Sequence, residues 1–87
     1  MTDQITLQPG KNVVFSTKPV GMPTFLFLRG GKGGESEATY HAELCHQPQH
    51  TVTLGEEEPK KIDISYAGAL VTVRNTGFRE LTAWTDY

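Results

Sequence analysis

Short runs rich in β-branched and aromatic residues, each closed by Gly, Pro or Asn at intervals of about ten residues, repeat along the chain. Strands of a half-buried sheet have this rhythm. A helix would need apolar residues at three- and four-residue spacing over several turns, and no stretch supplies them. The runs fall at residues 5–7, 12–16, 24–29, 38–45, 51–54, 61–66, 69–74 and 80–85. The chain is therefore expected to be all-β: a small antiparallel sandwich of about seven or eight short strands, immunoglobulin-like or jelly-roll-like, with a small barrel as the alternative. Its 87 residues, 1–87, make one domain with one core.

A domain of this size buries only about 60–65% of the surface its unfolded chain exposes, so its core needs support from elsewhere. The single Cys45 cannot form an internal disulfide. Docking on a protein partner or self-association is the expected supplement. Net charge is −2 with both signs interspersed, so there is no electrostatic footprint for nucleic acid. The longest apolar run, Phe25-Leu26-Phe27-Leu28, is too short to span a bilayer. Met1-Thr2-Asp3-Gln4 has neither the basic nor the apolar region of an export signal. With a lone thiol, this places the chain in the cytoplasm, or in a particle assembled there.

Alternation sorts the faces. Tyr40, Ala42 and Leu44 oppose His41, Glu43 and Cys45, and Ile62, Ile64 and Tyr66 oppose Asp63 and Ser65. The run 24–29 breaks the pattern, with Phe25 and Phe27 on one side and Leu26 and Leu28 on the other. Such a strand is central, or its outer face meets a partner. On the second ground Leu26 and Leu28 are candidate interface residues.

His41, Cys45, His46 and His50 gather three imidazoles and the only thiol within ten residues, and these are zinc-type ligands. If Leu44 pairs with Val52 across a hairpin, the four do not converge, and their spacing matches no zinc module. No metal or cofactor is expected. Cys45 as a nucleophile would lack enclosure. The stretch Arg29-Gly30-Gly31-Lys32-Gly33-Gly34 resembles a phosphate cradle but has no Ser or Thr after Lys32 and no helix to follow. It reads as a mobile loop whose glycines supply positive φ, with Lys32 presented to a partner. Glu56-Glu57-Glu58 lacks the ligand spacing of a calcium loop and reads as a solvated turn.

The last hairpin is the most informative element. Turning Val71, Val73, Leu81 and Ala83 inward pairs Val73 with Leu81, Val71 with Ala83 and Arg74 with Glu80. Leu70 then lies opposite Trp84 on the outer face, as an interface anchor would. With the faces reversed, Trp84 and Leu70 would be core. The expected function is a non-enzymatic protein-binding or assembly module, such as a virion-type decoration or adaptor subunit, or a small inhibitor protein. The alternative is a carbohydrate-binding sandwich with Trp84 or Tyr87 as a stacking platform and Asp86 and Asn75 as hydrogen-bonding groups. A metal-binding hairpin protein comes third.

Overall fold

The computed structural model describes residues 3–31, 34–43 and 48–87. Its strands are β1 (Ile5–Leu7), β2 (Asn12–Ser16), β3 (Phe25–Gly30), β4 (Ser36–Ala42), β5 (His50–Leu54), β6 (Lys60–Asp63), β7 (Leu70–Asn75) and β8 (Leu81–Thr85). β6 stops earlier than alternation suggests because Asp63 Oδ1 accepts the Ser65 N–H at 2.9 Å. A side chain that satisfies its own backbone in this way replaces a rung of the ladder.

The strands form two four-stranded sheets, ordered β1-β8-β3-β6 and β2-β7-β4-β5. Every pair is antiparallel. The pairs β4·β5, β3·β6, β2·β7 and β1·β8 are nested, so the chain is one long ribbon folded over itself. The pairs β3·β8 and β4·β7 complete the sheets. Eight antiparallel strands wound this way in two sheets are a jelly roll. The sandwich is open at its edges and is not a barrel.

The inner faces carry Leu7, Leu26, Leu28, Ile62, Ile64, Leu81 and Ala83 from the first sheet, and Phe15, Ala38, Ala42, Leu54, Val71 and Val73 from the second. The expected inward set of β7 and β8 is therefore present. The expected pairing is not. Val73 faces Val13 and Tyr40, whereas Leu81 faces Leu7 and Gly30. β7 and β8 belong to opposite sheets, and the loop between them crosses the sandwich. Alternation holds in either arrangement because the inner faces of two packed sheets look at each other just as the inner side of one hairpin looks at the core. The β4·β5 register also differs from expectation, with Ala38 opposite Val52 and Tyr40 opposite His50. Leu44 lies outside the described residues.

The glycine-rich stretch is packed at its start. Gly30 ends β3, donates its N–H to Gly55 O at 2.9 Å, and is buried. A Cβ on Gly31 would stand 2.5 Å from Glu80 O, so close approach of two backbones requires glycine there. Among the described residues of the stretch only Gly34, at φ 139°, has positive φ. Lys32 and Gly33 lie outside the described residues.

Candidate interaction surfaces

The outer face of the first sheet is an aromatic row capped by cations. Register places Phe27 beside Trp84, and their rings stack with centroids 5.6 Å apart and planes 12° apart. Arg29 Cζ lies 5.7 Å from the Trp84 ring centroid, and Lys61 Nζ lies 4.3 Å over Phe25. A cation over a ring face is held by the ring quadrupole. These contacts leave Trp84 8% exposed. It stands outside the apolar core between the sheets, on the outer face that one of the two sequence readings gave it, yet its own sheet covers it. Leu70, on the other sheet, is 44% exposed. The expected Trp84–Leu70 patch does not form, because its two members came together only through a β7·β8 pairing that the fold lacks.

Leu26 and Leu28 are fully buried and are core residues. β3 lies between β8 and β6, and its Phe25 and Phe27 take the outer face. Lys32 lies outside the described residues. Of the groups named for sugar binding, Trp84 in β8 is followed closely by Asp86 and Tyr87, with Tyr87 49% exposed, and only Asn75 lies apart from them. Asn75 is fully buried on the second sheet, and Asp86 accepts the Phe25 N–H at 2.9 Å and pairs with Lys18 at 3.5 Å. The Phe25 N–H, with Lys18 nearby, lowers the Asp86 pKa.

His41 and His50 sit on opposite faces of the β4·β5 ribbon. His50 stacks on Tyr40 at 5.1 Å, while His41 neighbours Thr72 on the outer face. Burial raises the Tyr40 pKa, and neighbouring Tyr66 adds to the shift. Cys45 and His46 lie outside the described residues, and among the described residues no three His, Cys, Asp or Glu side chains converge on a point.

The feature that sequence reasoning missed is Phe78, which is 99% exposed. The loop carrying it is firmly built. Asn75 Nδ2 donates to Leu7 O at 2.9 Å and Arg79 O at 2.7 Å, and Asn75 Oδ1 accepts the Gly77 N–H at 3.0 Å. The N–H groups of Thr76 and Gly77 both reach Glu37 O at 3.1 Å, and Thr76 Oγ1 donates to Glu37 Oε1 at 3.0 Å. A Cβ on Gly77 would lie 2.8 Å from Glu37 N, so only glycine lets the loop seat this closely. Beside Phe78 is an open hollow of about 580 Å³ lined in part by Glu35, Glu37, Thr53 and Arg79. The signal was present in the sequence: a large apolar residue inside Asn-Thr-Gly-Phe-Arg-Glu has no strand position to occupy. In the hairpin reading it served only as a spacer.

At the opposite end the β2–β3 loop exposes Val20 (82%) and Met22 (53%). The Met22 N–H donates to Pro19 O, and Gly21 takes φ 87° within that turn.

The sequence matches no protein-family model and no curated protein.

Proposed function

We propose that the chain is a protein-binding module that engages its partner through Phe78 and the hollow beside it. The supporting observation is a phenylalanine ring held almost wholly in solvent by a loop whose backbone is fastened to Glu37 of β4 and to the Asn75 side chain of β7. Burying such a ring is worth about 1.5–3 kcal/mol, and a braced loop loses little conformational entropy on binding. Glu35, Glu37 and Arg79 at the rim favour a partner with an apolar pocket and charged groups of both signs around it. A decoration or adaptor subunit and a stoichiometric inhibitor both use such an anchor. The lone Cys45 fits work in the cytoplasm or in a particle assembled there.

The test is a photo-reactive phenylalanine analogue placed at position 78, with position 20 as an exposed control at the other end, irradiated in the native cell. A discrete protein adduct at 78 and none at 20 supports the reading, and its stoichiometry separates a repeated subunit from an inhibitor. An adduct confined to position 20, or binding on a glycan array abolished by Tyr87→Ala, would overturn it.

A further inference from the structure

The two sheets end on unlike edges. The first ends on β1, three residues long, and on β6, which carries Lys60 and Lys61 directly after Pro59. Short length, lysines and a neighbouring proline are the means by which sheet proteins discourage edge-to-edge pairing. The second sheet ends on β2 and β5. β5 reads His-Thr-Val-Thr-Leu, with no proline, glycine, lysine or acid, and with three β-branched residues in succession. Among the described residues β4 is the only strand paired with it.

We infer that two copies of the chain pair β5 to β5, antiparallel, about a two-fold axis at Val52, joining their second sheets into one of eight strands. Two-fold symmetry requires that facing residues share a side of the sheet, so their numbers sum to an even value. Only the register centred on Val52 pairs all five residues. It sets Thr51 opposite Thr53 of the second copy, twice, on the exposed outer face, and Val52 opposite Val52. Threonine pairs and β-branched pairs are favourable cross-strand neighbours. Side-chain pairing also selects β5 over β2, because centring β2 on Val14 would set Asn12 opposite Ser16 on the outer face, a pair with little preference for strands. The two surfaces meet at Thr53, which also lines the hollow beside Phe78, but dimerisation is read on the purified chain without a partner, so either can fail alone.

The experiment is sedimentation of the purified chain over a concentration series, with circular dichroism to confirm folding of each variant. The wild type is expected to be a dimer. Thr51→Lys/Thr53→Lys and Thr51→Glu/Thr53→Glu each place like charges in both outer-face pairs and should weaken dimerisation at least about tenfold. Mixing the two variants should restore a one-to-one heterodimer. Thr51→Lys/Thr53→Glu, which sets Lys opposite Glu, should remain dimeric, and it also tests the register if a like-charge variant fails to fold. A wild type that stays monomeric, or like-charge variants that dimerise as well as wild type, would overturn the inference.

Discussion

The Asn75 side chain in the second sheet donates to the Leu7 carbonyl in the first, 2.9 Å away across the sandwich. The same Nδ2 holds Arg79 O at 2.7 Å, so one buried amide closes the loop and ties the sheets together. Asn75→Ala leaves two carbonyls without their donor and should cost about 2–3 kcal/mol of stability, measured by urea unfolding. Asn75→Asp keeps the shape but puts a carboxylate oxygen in place of Nδ2, facing both carbonyls. It should be worse than Ala at neutral pH and should recover as the carboxyl is protonated in acid.

Trp84 is held by its own sheet. Trp84→Ala removes the stack on Phe27 and the Arg29 contact, and should destabilise the fold by about 3 kcal/mol, near the lower limit for such truncations because the site is on an outer face. A double-mutant cycle with Phe27→Leu should give a coupling of about 1 kcal/mol. A folded, fully stable Trp84→Ala protein with weakened association would show that the ring serves a partner.

Ala67 occupies φ 55° in an exposed turn where Gly68 follows at φ 89° and the Ala69 N–H reaches Tyr66 O. Such left-handed backbone costs a residue with a Cβ about 1 kcal/mol relative to glycine. Ala67→Gly should raise the melting temperature by about 4 °C or more in a domain of this size. No change or a fall would show that the turn is relaxed with alanine.

Acid should weaken the fold partly through Asp86. Its pKa is lowered from 3.8, chiefly by the Phe25 N–H, with Lys18 adding to the effect. A carboxylate with a depressed folded-state pKa contributes stability that is complete above its unfolded value and is lost as pH falls through the folded one. Asp63, whose pKa is lowered by Ser65, acts in the same window. Asp86→Asn should therefore make the decline in urea midpoint below about pH 4 shallower without abolishing it. An unchanged acid profile would show that the carboxylate is not used in the folded state.

Strand positions, and which residues share a face, were legible because period-two alternation is local: Ile62 and Ile64 against Asp63, or Val71 and Val73 against Thr72 and Arg74, need no knowledge of neighbours. Pairing was not legible. A five-residue link between Asn75 and Leu81 can close a hairpin or cross a sandwich, and the bond that decides, from Asn75 to Leu7, spans most of the chain. That one ambiguity misplaced Trp84 and Leu70 together. The alternating Phe and Leu of β3 were readable as a central strand, but which set faced inward depended on Trp84 and Lys61 arriving from β8 and β6. Phe78 was visible as an apolar residue in a polar turn, and its exposure became interpretable only with the bonds that hold the turn.

The most direct measurement is Phe78→Ala, assayed in parallel for melting temperature and for affinity to the protein captured at position 78. Exposure of the ring means that its removal should leave stability within about 0.5 kcal/mol of wild type, while partner affinity falls by about 2 kcal/mol, roughly thirtyfold. Unchanged affinity, or a large loss of stability in the isolated protein, would contradict the account of Phe78 as the anchor.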